Sequence, residues 1–334
     1  MIKKNITIIS LNGDDNSGGV ERVVFYLKNI LSEKYPVSIL NRKTKPGKFD
    51  KIIYPFFFSF KLLFIKNTFI ISNSWQSYLF PVDLSIHHGT TAGYLLNSCI
   101  KSKKSSLIAW MEKISAKRAK KIIAVSENCK HELIDIYGIS QDKIIVLNNF
   151  VDEKLFYPDN VSENEKINIL FSGRLEERKG LSSLLELAAL IENSNKYQLK
   201  IAVNSNQSCE LFSNFKNTKI EMNLDITGMR KFYNSGDVFY FPTKYEGFSM
   251  ATLEALSCGV PVIGTGFAIP QEIRHYDFIS ITENKDANIV LSLIDNMHDK
   301  FKNKKNDIFN IIKKDFGYEQ YCKKLFSIID ELIK

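Results

Sequence analysis

Glu246 and Glu254 stand eight positions apart in the stretch Glu246-Gly247-Phe248-Ser249-Met250-Ala251-Thr252-Leu253-Glu254-Ala255-Leu256-Ser257-Cys258-Gly259-Val260-Pro261-Val262-Ile263. Paired carboxylates cleave glycosidic bonds when they lie about 5–5.5 Å apart for retention, or about 6.5–9.5 Å for inversion. Across a largely helical segment the rise between these two is about 12 Å, so they address different parts of one long ligand. A molecule with a sugar at one end and a ribose at the other fits that separation. The middle of such a molecule is catered for as well. An apolar run at 238–241 turns through Gly247 into a helix with Ser249 as N-cap and Gly259 at its stop. The N–H groups of residues 249–251, with the helix dipole, can hold a diphosphate without a metal.

A second stretch, Gly173-Arg174-Leu175-Glu176-Glu177-Arg178-Lys179-Gly180, follows an apolar run and precedes a helical one. Arginine grips phosphate oxygens in pairs and lysine adds a point charge, so together they stabilise a departing nucleoside diphosphate. Glu176-Glu177 beside Arg178 equally suits a surface ion-pair cluster. His87-His88-Gly89 ends another run. Taken by itself, a histidine there reads as a structural one packed under a loop, and at least one of the pair is that.

The elements that must carry these residues alternate. Strand-like runs at 6–11, 37–40, 68–72, 84–87, 121–125 and 144–147 are separated by helical stretches such as 19–33, 106–117 and 128–137. A second series has strands at 167–171, 198–203, 238–241 and 261–264, with helices at 181–191 and 250–257. Alternation of this kind predicts parallel, doubly wound α/β sheets. A polar linker falls in 149–166, and 308–334 reads as helical with a break near Phe316-Gly317. The run from 52 to 71 approaches the length needed to cross a bilayer, but Lys61, Lys66 and Asn67 interrupt it and Pro55 stands where a helix begins.

With 334 residues the chain accommodates about two domains. Apolar residues make up 44% and charged residues 25%, which excludes wholesale disorder. Five scattered cysteines with no CxxC pair exclude a disulfide scaffold or structural zinc site and suit a reducing, cytoplasmic compartment. The net charge of +8 is unevenly spread: residues 1–160 hold 23 basic and 14 acidic residues, residues 161–334 hold 22 and 23. Basic clusters at Arg42-Lys43-Thr44-Lys45, Lys101-Ser102-Lys103-Lys104 and 117–121 alternate with apolar segments, notably 55–60. One reading is a first half resting peripherally on an anionic membrane, the inner face of the cytoplasmic membrane. The other has solvated charges, with residues 56–64 simply part of the core. No nucleic-acid signature accompanies the charge.

These residues resemble the family 4 glycosyltransferases, retaining enzymes of the GT-B fold with an E-x7-E motif. The resemblance extends to Gly18-Gly19-Val20-Glu21-Arg22, Val125-Ser126-Glu127, Asn149-Phe150-Val151-Asp152, Phe232-Tyr233-Asn234-Ser235-Gly236-Asp237-Val238 and Phe241-Pro242-Thr243. It implies two Rossmann-like domains facing across a cleft: an acceptor domain of residues 1–157 completed by a returning helix at 316–334, and a donor domain of 158–315. It further implies that Arg174 and Lys179 hold the donor diphosphate, that Glu254 bonds the ribose and that Glu246 contacts the donor sugar. Gly247, Phe248, Ser249, Met250 and Ala251 line the sugar and phosphates, Gly18 and Gly19 approach from the first domain, and His88 lies near the transferred sugar. The implied activity is metal-independent, cofactor-free transfer of a hexosyl or N-acetylhexosaminyl group from a nucleotide sugar to an acceptor hydroxyl. The charge of the first half favours a lipid-linked acceptor of surface polysaccharide or lipopolysaccharide assembly.

Two segments depart from the family pattern. Asn204-Ser205-Asn206 stands where relatives carry a glycine-rich turn, and in Ala268-Ile269-Pro270-Gln271-Glu272 either Gln271 or Glu272 takes the place of the usual acid. Rival readings are a sugar-nucleotide epimerase or phosphorylase on the same fold, and a non-catalytic nucleotide-sugar-binding membrane scaffold. A dinucleotide oxidoreductase is disfavoured because the first turn lacks GxGxxG.

Overall fold

The computed structural model describes residues 4–13, 19–42, 47, 49–98, 102–159, 165–283 and 286–333. They form two α/β units, Met1–Asn149 with Tyr321–Lys334, and Phe150–Gln320. The first contains β1 (Asn5–Ile9), α1 (Gly19–Ser32), β2 (Val37–Leu40), α2 (Asp50–Leu62), β3 (Thr68–Asn73), β4 (Leu84–His87), α3 (Thr91–Ser98), α4 (Lys103–Arg118), β5 (Lys121–Ala124), α5 (Glu127–Asp135) and β6 (Ile144–Val146). Its six strands pair in parallel in the order β2-β1-β3-β4-β5-β6. Helices cover the sheet, so central strands such as Ile6-Thr7-Ile8-Ile9 are buried at every position and read as near-continuous apolar runs, broken here only by Thr7.

The second unit contains β7 (Ile167–Ser172), α6 (Leu181–Ile191), β8 (Tyr197–Val203), β9 (Thr218–Met222), α7 (Ile226–Asn234), β10 (Val238–Phe241), α8 (Met250–Ser257), β11 (Val262–Gly264), β12 (Ile279–Ile281), α9 (Ala287–Phe301) and α10 (Lys305–Phe316). Its parallel order is β12-β11-β10-β7-β8-β9. Sequence order reverses between the adjacent strands β7 and β10. Ligands of open α/β sheets bind beyond the carboxyl ends of the strands at such a reversal. Both candidate stretches, Gly173–Gly180 and Glu246–Glu254, leave from those two strands.

The division falls before the boundary expected at 157/158. Val151 bridges to Gly317, Phe150 packs edge-on against Tyr318, and Phe156 packs against Tyr233, which ties residues 150–157 to the second unit. The helical break at Gly317 separates α10 from α11 (Tyr318–Ile333), whose buried Tyr321, Leu325 and Ile329 lie along one stripe. Asp330 on α11 accepts hydrogen bonds from Lys34 and Tyr35 of the first unit.

Two expectations about the segment after β2 are corrected. The helix begins at Asp50, so Pro55 sits inside it. Proline lacks the N–H that would bond the Lys51 carbonyl one turn back; Trp75 donates its indole N–H to that oxygen at 3.2 Å instead. Nor are residues 56–64 all core. Phe58, Ser59 and Leu62 are buried, whereas Phe56, Phe57, Phe60, Leu63 and Phe64 are exposed. No helix among the described residues is long and apolar enough to cross a membrane.

Candidate functional site

The loop after β7 is held to the loop after β10 by backbone contacts. The Arg178 carbonyl accepts from the Lys244 N–H at 2.8 Å and from the Thr243 hydroxyl at 3.0 Å. Gly180 makes the approach possible: its φ of +88° is left-handed, and a Cβ there would strike the Pro242 carbonyl. The clamp brings Lys179 to Glu246, and the ammonium donates to Oε1 of the carboxylate. Arg178 reaches the same oxygen at 3.5 Å and Glu176 at 3.1 Å. Lys179 also stands over the Phe241 ring at 5.2 Å from its centroid. Burial pushes the Lys179 ammonium below its usual range; Glu246 offsets this, while the charges of Arg178 and Arg174 reinforce it.

Arg174 is placed differently. Its side chain is 65% exposed and pairs with Glu176 at 3.2 Å. Arg178, which also suited a surface ion pair, is thus the arginine in contact with Glu246.

Glu254 is buried on α8 and accepts from the Tyr233 hydroxyl at 3.0 Å, which in turn lies 3.1 Å from the Ser172 hydroxyl at the end of β7. Tyr233 belongs to the family-like Phe232–Val238 stretch, but only the fold reveals that it orients a glutamate. Between the two acids, Gly247, Phe248 and Ser249 are buried, with Phe248 packed on Phe316 at 5.6 Å. Ser249 caps α8 by accepting from the Thr252 N–H at 3.2 Å, and Met250 and Ala251 form the first turn. The loop after β11 is braced by Arg274, which donates to the Ile269 and Gly266 carbonyls. It also accepts the Glu246 N–H at the Phe267 carbonyl, 3.1 Å away. Gln271 is exposed and Glu272 half-buried.

In the first unit His87 is fully buried, with Nε2 3.1 Å from the Ser85 hydroxyl and Nδ1 3.6 Å from Glu112. His88 is partly buried at the end of β4, and burial together with the charge of His87 pushes its imidazole down to about 4. Gly89 follows with a φ of +110°. Two carboxylates that type and spacing alone do not single out fix this loop. Glu112 accepts from the Tyr137 hydroxyl at 2.6 Å, the Thr91 N–H at 2.7 Å and the Ser74 hydroxyl; Glu132 accepts from the Thr90 N–H and hydroxyl at 3.1 and 2.7 Å. Burial alone would raise the Glu112 carboxyl, but bonds and charge from His87, Ser74 and Tyr137 pull it below its usual range. Gly19 opens α1 and is exposed, and among the described residues nothing beyond its chain neighbours and its own helix backbone lies within 4 Å of where a Cβ would stand; Gly18 lies outside the described residues.

Two parallel doubly wound units, the second with a basic and acidic cluster at its sheet reversal, define the GT-B class of glycosyltransferase folds. Two family models match the sequence: residues 152–314 match the family described as Glycosyl transferases group 1, and residues 80–155 match Glycosyltransferase Family 4. Among curated relatives, the capsular polysaccharide biosynthesis glycosyltransferase CapM of Staphylococcus aureus is 31% identical over 50% of this chain and 48% of its own length. The chain spans about half the length of the curated relatives it matches. Among solved structures, WaaG, a glycosyltransferase involved in lipopolysaccharide biosynthesis, superposes with a TM-score of 0.80 at 13% identity, covering 97% of this chain and 99% of that one. Anabaena HepE in complex with UDP-glucose gives 0.71 at 13% identity, covering 98% and 100%.

Proposed function

We propose that this chain is a retaining, metal-independent glycosyltransferase that moves a hexosyl or N-acetylhexosaminyl group from a nucleotide sugar to an acceptor hydroxyl. Its acceptor is a lipid-linked glycan of capsule or lipopolysaccharide assembly, met at the inner face of the cytoplasmic membrane by a peripherally bound enzyme. The observation that carries the reading is the meeting of Lys179 and Glu246 at the β7/β10 reversal, with buried Glu254 on the helix that follows.

Lys179 and Arg178, supported by Arg174, neutralise the diphosphate as the glycosidic bond breaks, and the N-terminal turn of α8 aims N–H groups at it. Glu254, oriented by Tyr233, accepts from a ribose hydroxyl. Glu246 accepts from a hydroxyl of the donor sugar, and neutral His88 bonds a sugar hydroxyl. The leaving phosphate takes the acceptor proton, so no protein base is assigned. CapM's capsular role and WaaG's lipopolysaccharide role support the acceptor class; the UDP-glucose held by HepE makes a uridine donor the first to try.

Calorimetric titration with a panel of UDP, GDP and other nucleotide sugars tests this. One of the panel binds, Lys179→Ala and Glu254→Gln weaken that binding by at least about tenfold, and Glu246→Gln lowers turnover more than affinity. Unchanged donor affinity in both of the first two variants removes the assigned roles.

A further inference from the structure

The outward side of α2 is apolar, the reverse of what a surface helix ordinarily shows. Ile53, Phe56, Phe57, Phe60, Leu63 and Phe64 recur at helical spacing on one stripe, opposite the buried Pro55, Phe58, Ser59 and Leu62. Phe56 is 53% exposed, Phe60 55% and Phe64 72%. Isolated exposed apolar side chains are ordinary, but a contiguous stripe of them marks an interaction surface.

The stripe does not stop at the edge of the helix. Buried residues of α2 and α4 join one core cluster, through Phe58 and Leu62 on one and Ala116 on the other, so both outward faces look away from the same core. Leu79, 39% exposed, is strung between them: its N–H donates to the Ser59 hydroxyl at 3.3 Å and its carbonyl accepts from Arg118 at 2.6 Å. Tyr78 continues to Trp110 on α4, ring centroids 6.3 Å apart, and Trp110 is 54% exposed.

The rim of this face is basic. Exposed Lys61 flanks the stripe on α2, and exposed Lys103, Lys104 and Lys117 lie on α4. The two helices carry two carboxylates between them. Asp50 is engaged by Arg42 at 2.7 Å and by the Gly47 N–H, and Glu112 is buried. Apolar rings within a lysine rim match a layer of acyl chains beneath anionic headgroups. Pairing with a second copy of the same face would set lysine against lysine.

We propose that the outward faces of α2 and α4, joined through Tyr78 and Leu79, form one docking surface for an anionic phospholipid bilayer. Phe56, Phe57, Phe60 and Phe64 enter the acyl boundary, and Trp110 sits at headgroup level. Arg42, expected from sequence to share in the attraction, is instead spent on Asp50 and Asn12. The surface deepens the peripheral-membrane part of the proposed function and is independent of the transfer chemistry.

Flotation of the full chain with phosphatidylcholine vesicles, with and without phosphatidylglycerol, tests the surface. The chain floats with the anionic vesicles at low salt and less as salt rises. A variant with Phe56, Phe57, Phe60 and Phe64 all replaced by Ser loses at least about tenfold in vesicle affinity, and Lys103→Glu with Lys104→Glu does the same without touching the rings. Nucleotide-sugar binding in solution stays at the wild-type level in both variants, which separates failure of the surface from failure of the donor reading. Vesicles shift the tryptophan emission to the blue in the parent, and Trp110→Phe abolishes that shift. Wild-type flotation of the lysine variant overturns the proposal, as does a blue shift that survives Trp110→Phe. A concentration-dependent dimer that the serine variant abolishes, with no binding to vesicles, also overturns it and assigns the face to a second copy.

Discussion

At the level of single residues, His88 offers a measurable signature. Its imidazole titrates near 4 in the folded unit, against 6.5 ordinarily, so between those values the unfolded chain holds a proton that the folded chain refuses. Stability is therefore complete above about pH 6.5 and declines as the pH falls toward about 4. Glu112, pulled down instead, loses its contribution only below its ordinary 4.5 as it takes up a proton. Urea midpoints measured from pH 7 to 4 fall for the wild type, and His88→Gln flattens that fall; an unaltered slope in the variant means that His88 is not the group held neutral. At this scale much of the candidate site is legible in the sequence. Lys179, Glu246 and Glu254 are marked by type and spacing, because a glycine-flanked basic run and two acids bracketing a helix suit a long anionic ligand as they stand in the linear chain. Arg178, Tyr233, Glu112 and Glu132 are not, since each acts through a partner between 21 and 68 positions away that only the sheets bring close.

At the level of elements, Gly180 is the most exposed to a conservative change. A methyl group added there meets the Pro242 carbonyl and forces a left-handed backbone on alanine, so Gly180→Ala costs about 1–3 kcal/mol in chemical denaturation. It also loosens the contact between the Arg178 carbonyl and the loop at Thr243 and Lys244. A variant as stable as the wild type shows that the two loops yield freely and are not locked by that glycine. Short strands made mainly of apolar residues announce themselves, which is why β4 and β10, buried at every position, coincide with their expected ranges, as does β2, an edge strand that is only half-buried. The edge strands β9 and β12 escape such a reading, being half polar or only three residues long, and edge positions demand no continuous apolarity. Helix α2 misleads for the opposite reason: its apolar residues lie on both sides, so periodicity does not distinguish the face it buries from the one it shows.

For the molecule as a whole, α11 is the element that completes the first unit. Leu325 is fully buried, so Leu325→Ala destabilises by about 2–4 kcal/mol. Asp330→Asn, on the same helix but at an exposed pair with Lys34, changes stability by less than about 1 kcal/mol. Equal effects in urea denaturation would mean that charge, not packing, seats the helix. The order of manufacture adds a constraint. On the ribosome, Phe150–Gln320 is made before the last turns of α11, so the second unit has its whole sequence while the first still lacks the stripe of Tyr321, Leu325 and Ile329. Until residues 321–333 have left the exit tunnel, the part of the first unit made before them waits with an uncovered apolar seat beside Lys34 and Tyr35, the stage at which a nascent-chain chaperone has most to protect.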